Sequence, residues 1–422
     1  MPEFLTLLPP DDARALLLSH LSILTAGPET IDVSSSLDCV TADDILAPHP
    51  LPDFQRTTMD GYAVCARDTF GATDSLPAYL TLIGEVPMGD SPSFELSAGQ
   101  CALIHTGGML PKGADAVVML EYTQVLGAGL RPAPKNNEIE IFRAVADGEN
   151  LIRIGEDVAQ GQLVLPKGSI MRPAEVGGLM ALGFTSLRVA RRVKVGLIST
   201  GDEVIEPSQS PRPGQVRDIN SYTLGALVEK AGGEAVRYGI FSDQFEVLKE
   251  AAARALSECD VVIITAGSSA STRDMTADVI RLLGKPGVLV HGINTRPGKP
   301  TILGVCNGKA VIGLPGNPVS ALVNGYLFLV PVIEKLLGAL PKPKATVMAK
   351  LTVNLPSQAG REDWWPVKLI ENRQSLIVNY EAEPIFGKSN LIFTLASADG
   401  LLRIHPDATG LGAGEMVEVV LM

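Results

Sequence analysis

Two loops of the same kind do most to limit what this chain can fold into: Ile264-Thr-Ala-Gly-Ser-Ser-Ala-Ser-Thr-Arg-Asp274 and Gly313-Leu-Pro-Gly-Asn-Pro-Val-Ser320. Each follows an apolar, β-branched run, Val261–Ile264 or Ala310–Leu314, and each opens a helical pattern. Backbone N–H groups therefore gather where an anion can sit. Around them, residues 193–338 alternate strand and helix. Val193–Ser199 reads as a strand, Ser221–Lys230 as a helix and Ala235–Ile240 as the next strand. Ser242 is the expected cap of a helix with Phe245, Leu248, Ala252 and Leu256 on its apolar face, and another helix is expected from about Arg273. Such repetition calls for an open α/β sheet, mostly parallel, with right-handed crossovers and its ligand at the carboxyl ends of the strands.

At 422 residues the chain exceeds what one core organises, so two to four domains are expected. Residues 9–25 carry the spacing of an ordinary amphipathic helix with an acidic first turn. From Tyr79 to Ile141 short strands alternate with Gly and Pro, the pattern of a β-rich insertion, and Pro173–Gly183 returns to a helix that stops at Gly183. After Lys342-Pro343-Lys344, a natural linker, the runs Thr346–Val353, Trp365–Ile370, Leu376–Tyr380, Leu391–Leu395, Leu401–Ile404 and Met416–Leu421 read as strands of a closing β-barrel or sandwich.

A net charge of −12 argues against general nucleic-acid binding, which needs clustered Lys and Arg, so any phosphate site must be local. Cys39, Cys65, Cys101, Cys259 and Cys306 are odd in number and lack CxxC spacing. They suit packing in a reducing compartment rather than a disulfide framework or a zinc site. The N-terminus lacks a basic leader, and the longest apolar candidate, Tyr326–Ile333, is short and broken by Pro331, so a cytoplasmic protein is expected.

Three acids stand at or just past strand ends: Glu203, Asp243 and Asp274. Two readings fit them. They can converge on one sheet edge and hold Mg²⁺ through oxygen, or each can sit in the opening turn of a helix and complement its dipole. Arg296-Pro-Gly-Lys-Pro300 places two cations across a tight turn, suited either to an oxyanion or to solvent. Pro52–Ala63 displays Asp60 on a polar turn, a hairpin loop or a functional one, and Thr106 offers a hydroxyl from another. No Walker A, GxGxxG or Ser-His-Asp pattern appears and the five histidines form no ligand cluster, which removes kinases, dehydrogenases and zinc hydrolases.

The motifs Thr58-Met-Asp-Gly-Tyr-Ala63, Ile104-His-Thr-Gly-Gly108, Gly113-Ala-Asp-Ala-Val-Val118, Ser199-Thr-Gly-Asp-Glu203, Arg296-Pro-Gly-Lys-Pro300 and Leu314-Pro-Gly-Asn-Pro-Val-Ser-Ala321 resemble, in order, those of the MoeA family. These are the molybdopterin molybdenumtransferases, a family that includes the E domain of gephyrin. The resemblance implies a homodimer of four-domain chains. Residues 1–48 with 149–190 would be the dimerisation domain, 49–148 the β-rich insertion, 191–340 a MoaB/Mog-like three-layer α/β domain that binds molybdopterin, and 341–422 a C-terminal β-barrel. It implies insertion of molybdate into adenylylated molybdopterin with Mg²⁺ and release of AMP, with a Mog-type adenylyltransferase as a possible partner.

By motif position, Glu203, Asp243 and Asp274 correspond to magnesium and catalytic acids, with Asp60 and Thr106 facing the partner subunit's cleft. Ser268, Ser269, Ser271, Pro315, Gly316 and Asn317 correspond to cofactor-binding positions, and Arg296, Lys299, Ser320, Arg361 and Ser389 to molybdate-binding ones. The chain departs from the family at four places: Ser271 where glycine is usual, Gly292 and Arg296 where lysine is usual, and Pro366 where arginine is often found. Three other activities compete with molybdate insertion: a pterin-binding or scaffolding paralogue with little turnover, a tungstate-selective insertase, and nucleotidyl transfer by the central domain alone.

Overall fold

The computed structural model describes residues 7–24, 27–126, 137–266, 270–372 and 379–422, with the side chains of 270–274, 372 and 379 excepted. The chain divides into two compact units. One comprises Met1–Ala42, Lys167–Arg172 and Leu187–Met422, and the other Asp43–Pro166 with Pro173–Ser186.

The smaller unit is organised by a six-stranded sheet in the order Ala116–Met119, Gly61–Val64, Gln100–Ile104, Ala78–Val86, Glu138–Ile141, Thr123–Val125. Period-two alternation splits its apolar side chains between two cores. Tyr62, Val64, Cys101 and Val118 fill one, while Ala63, Ala102, Ile104 and Val117 fill the other. Gly61 opens the second of these strands because the neighbouring backbone passes close by: a Cβ there would sit 2.0 Å from the Val118 carbonyl oxygen. Burial raises the Cys101 thiol to about 12, in keeping with a packing role.

The larger unit holds two domains in contact. Its central sheet runs Gly233–Phe241, Val193–Thr200, Val261–Ala266, Lys309–Pro315, Ile302–Cys306, Pro286–His291. The first four strands are parallel, and Ile302–Cys306 runs antiparallel to both of its neighbours, Lys309–Pro315 and Pro286–His291. Alternate residues face opposite layers: Val261, Ile263 and Ile312 belong to one core, Val262, Ile264 and Val311 to the other. The helix Pro10–Ser19 contributes to the first of these, with Ala13 and Leu17 fully buried in it. The C-terminal barrel closes five strands, Thr346–Leu351, Glu362–Asn372, Asn379–Pro384, Gly400–Ile404 and Met416–Leu421, when the second pairs with both the third and the fourth. A parallel bridge from Thr295–Arg296 to Glu362–Asp363 ties barrel to central domain.

Several local expectations are corrected. Ser242 is not the helix cap; Phe245–Glu258 is preceded by Gln244 at the cap position, whose N–H bonds the Ser242 carbonyl at 2.7 Å. Glu203 and Asp243 stand in no helical turn. Glu203 precedes the short strand Val204–Ile205, which pairs with Val216–Arg217, and Asp243 precedes the helix at Phe245. The helix expected from Arg273 begins at Ala270. Leu391–Leu395 is not a strand but leads into the short helix Phe393–Ala396. Residues 376–378 of another expected strand lie outside the described residues.

Pro331 breaks nothing. Pro318–Asn324, a π turn over Gly325–Leu329 and Val330–Leu337 form one continuous helical run of 20 residues. The wider π turn accommodates the carbonyl four residues before the proline, which the ring would otherwise meet. That run is long and apolar enough to cross a membrane by length and composition, but 67% of its most apolar window is buried inside the protein, as in a core helix.

Candidate functional site

The basic turn Arg296–Lys299 is shaped by its surroundings. Gly298 has φ +106°, and a Cβ there would lie 1.7 Å from Asn324 Nδ2. Only glycine fits. Asn324, fully buried, donates from Nδ2 to the carbonyls of Pro297 at 3.1 Å and Ser320 at 2.8 Å. Thr301, also buried, donates its hydroxyl to the Gly298 carbonyl at 2.8 Å. The turn thus projects Arg296 and Lys299 outward while its backbone is fastened from below.

The second loop is held as firmly. Asn220 Nδ2 donates to the Gly316 carbonyl at 2.8 Å, and Pro318 occupies the first helical position after Asn317. Asn317 does not cap this helix with its side chain; its Nδ2 donates to Ser389 Oγ at 3.1 Å, and Val319 N–H donates to the Ser389 carbonyl at 3.0 Å. Because Ser389 Oγ accepts from Asn317, its own proton is left to donate elsewhere.

These loops and the barrel enclose a cleft of about 730 Å³. Arg296, Lys299, Pro315, Asn317, Ser320, Arg361 and Ser389 all line it, so seven residues singled out from the sequence share one cavity. Arg361 is oriented by a bidentate pair with Asp363, at 2.6 and 2.9 Å, whose side chain is only 1% exposed. Arg296 lies over the Trp365 ring, 5.5 Å from its centre. Sequence reasoning singled out Ser389 but missed its neighbour Lys388, which lines the same cleft. The lining carries four cations and no carboxylate among the described residues. A chamber with that imbalance attracts a compact anion.

The acids stand on the same sheet edge, at the other side. Thr200 and Phe241 are register partners at the ends of adjacent parallel strands, and Glu203 and Asp243 follow them. The Asp243 N–H donates to Asp202 Oδ1 at 3.3 Å, so Asp202, absent from the sequence-based set, belongs to this group. Nearby, buried Asp218 accepts from Ser199 Oγ at 2.8 Å and Ser221 Oγ at 2.6 Å, and Asn220 follows it; a polar Asp-Ile-Asn-Ser run after a short strand was the available signal. No group of three His, Cys, Asp or Glu poised to hold a metal occurs among the described residues. The side chains of Asp274 and Ser271, and all of Ser268 and Ser269, lie outside them. Gly316 acts through its carbonyl and does not line the cleft.

Asp60 and Thr106 are brought together in the smaller unit. Thr106 donates to Asp60 Oδ1 from its N–H at 2.7 Å and from its hydroxyl at 3.0 Å. Chiefly through the backbone bond, the Asp60 carboxyl is held below its ordinary value.

An α/β domain with carboxylates at one end of its sheet edge and a cationic cleft against a β-barrel at the other is the framework of an enzyme that handles oxyanions. The chain belongs to the MoeA family of molybdopterin molybdenumtransferases, enzymes of molybdenum cofactor biosynthesis. Family models described as the MoeA N-terminal region (domain I and II), the "Probable molybdopterin binding domain" and the MoeA C-terminal region (domain IV) match residues 8–183, 196–335 and 348–422. The chain is 32% identical to molybdopterin molybdenumtransferase 2 of Mycobacterium tuberculosis, over 93% of this chain and 94% of that one. It is 32% identical to the molybdopterin molybdenumtransferase of Haemophilus influenzae over 97% of each. Among solved structures, the molybdopterin biosynthesis MoeA protein of Pyrococcus horikoshii OT3 is similar with a TM-score of 0.84 at 34% identity, covering 99% of this chain and 100% of that one.

Proposed function

We propose that this chain inserts molybdate into adenylylated molybdopterin in a Mg²⁺-dependent reaction that releases AMP. The observation that carries the reading is the cleft, with four cations and the hydroxyl-bearing Ser320 and Ser389, and no acid among the described lining residues. A tetrahedral dianion gains there from point charge, guanidinium fork and neutral donors together.

Molybdate is the substrate held by Arg296, Lys299, Ser320, Arg361 and Ser389. Asp363 orients the Arg361 guanidinium by taking its Nε and Nη2 edge, and Asn317 leaves the Ser389 hydroxyl proton to donate to an oxyanion oxygen. Ser268, Ser269, Ser271, Pro315, Gly316 and Asn317 bind the pterin substrate, and Pro315 and Asn317 line the cleft in which its dithiolene would meet the metal oxide. Glu203, Asp243 and Asp274 would hold Mg²⁺, hard carboxylate oxygens suiting that ion, and the first two follow the ends of adjacent strands. When bound, Mg²⁺ supplies neutralising charge at the phosphoanhydride.

Asp60 and Thr106 complete the active site from the partner subunit of a homodimer, in which residues 1–48 and 149–190 form the dimerisation domain, 49–148 the insertion, 191–340 the pterin-binding domain and 341–422 the barrel. The protein works in the cytoplasm, receiving its substrate from a Mog-type adenylyltransferase.

The test is to incubate the purified chain with adenylylated molybdopterin, Mg²⁺ and molybdate and to measure AMP. Release by the wild type is expected, and Asp274→Asn should abolish it while leaving pterin binding largely intact. A wild-type chain that releases no AMP above background would establish instead a pterin-binding paralogue. Running molybdate and tungstate at equal low concentration decides which oxyanion is preferred.

A further inference from the structure

We propose that Lys388 is an additional oxyanion-binding residue of the cleft, acting on a tetrahedral group with two or more negative charges. The inference rests on the oxyanion reading above and concerns a residue to which that reading gives no role.

Its placement is built rather than incidental. The barrel loop carrying Lys388 is fastened to the central domain immediately next to it, through the Val319 N–H bond to the Ser389 carbonyl at 3.0 Å and the Asn317 bond to Ser389 Oγ at 3.1 Å. Leu391 N–H donates to the Lys388 carbonyl at 3.0 Å and closes the turn on the other side. A pinned backbone keeps the ammonium group at the cleft, which Lys388 lines. The charge is also uncompensated. Among the described residues Lys388 forms no ion pair, whereas Arg361, which lines the same cleft, is paired with Asp363, and Arg403 is paired with Asp11 and Glu362. Three cations, Arg296, Lys299 and Lys388, therefore have no carboxylate partner among the described residues. A lysine on an isolated surface turn is merely solvated; one lining a chamber with two other unpaired cations adds to a local positive potential that an anionic ligand would neutralise.

A free oxyanion and the phosphate of a nucleotide share this chemistry, so the full-length protein is titrated calorimetrically with molybdate alone and with AMP alone. Lys388→Gln, Lys388→Arg and the wild type are compared at about 0.05 M and about 0.5 M salt. Because Lys388 is exposed, the expected loss in Lys388→Gln is moderate, about fivefold in affinity at low salt and shrinking toward none at high salt. Lys388→Arg should retain most of the affinity, and in turnover KM for molybdate should rise with kcat unchanged. A loss confined to the AMP titration would still establish an oxyanion contact and assign it to the nucleotide phosphate. Equal affinities for wild type and Lys388→Gln in both titrations, at both salts, would overturn the proposal while leaving the oxyanion reading intact. If the wild type itself binds neither ligand, that reading falls and this inference with it.

Discussion

The two ends of the central sheet edge are built on opposite principles. At one end, acids follow Val193–Thr200 and Gly233–Phe241, and Asp202, Glu203 and Asp243 stand on turns with one another for company. At the other, two strands along from Val193–Thr200 and so about 10 Å away, the strand Lys309–Pro315 leads into a cleft lined with cations. The cationic side is over-determined: the buried amide of Asn324 holds the Arg296 turn, Asp363 holds Arg361, and Asn317 holds Ser389. The acidic side is held through its backbone: Gly201 N–H donates to the Phe241 carbonyl at 3.2 Å, Val216 N–H to the Glu203 carbonyl at 2.8 Å and Asp243 N–H to Asp202 Oδ1 at 3.3 Å, while the Glu203 side chain is exposed. A site for a preformed tetrahedral ion profits from rigidity, since ordering costs are met on folding. Carboxylates for a hydrated divalent ion can be placed by the backbone alone, since water completes the coordination.

The comparison breaks if the two ends do not separate in function. Glu203→Gln with Asp243→Asn should lower AMP release by about three orders of magnitude while changing molybdate affinity less than twofold, and Arg296→Ala with Lys299→Ala should do the reverse, weakening molybdate binding by about two orders of magnitude. Calorimetry and AMP assay on both pairs decide the matter. Similar losses of affinity in both would mean one continuous site rather than two.

Rigidity at the cationic end is tested by unfolding. Gly298→Ala should cost about 3 kcal/mol, since the new methyl group meets Asn324 in a backbone conformation that disfavours any side chain. Denaturant melts that matched the wild type would show that the turn is not anchored as described. Asp363→Ala should cost about 2 kcal/mol by leaving Arg361 without its fork, and molybdate affinity should fall with it. The smallest effect belongs to the other unit. Thr106→Val removes the side-chain bond to Asp60 but keeps the backbone one, so the carboxyl, titrated by NMR, should rise part of the way to its ordinary 3.8. A carboxyl held low in the folded state contributes stability above its unfolded value, and that contribution is lost as pH falls through the folded one. The variant should therefore give up this contribution at a slightly higher pH than the wild type.

Much of the fold was legible beforehand because its signals are local. The apolar runs at Val193, Val261 and Ala310 alternate with helical periods, which leaves little choice but a layered α/β domain, and Gly/Pro-spaced short runs announced both β-rich regions. Where the reading failed, the backbone took a form that composition does not announce. Leu391–Leu395 has strand-like composition yet turns into a short helix beside the loop carrying Lys388, and Pro331 passes through a helix because the preceding turn widens to a π form. The set Arg296, Lys299, Ser320, Arg361 and Ser389 was assembled from a family resemblance. Lys388 carried no such flag, since a lone lysine in a turn looks like any solvated residue, and Asp202 was passed over although it stands inside the quoted motif Ser199–Glu203.

By itself, then, the sequence determined which segments are strands and helices over most of the chain and which chemical types stand near strand ends. Those follow from periodicity and from residues whose behaviour depends on their immediate neighbours. Only the tertiary structure decided which charges are spent and which are free: that Asp363 occupies Arg361, that Lys388 joins Arg296 and Lys299, and that the acids lie along the same edge but outside the cleft. Charge compensation acts through space between residues as far apart in sequence as 296 and 388, and nothing in the order of the chain encodes that distance.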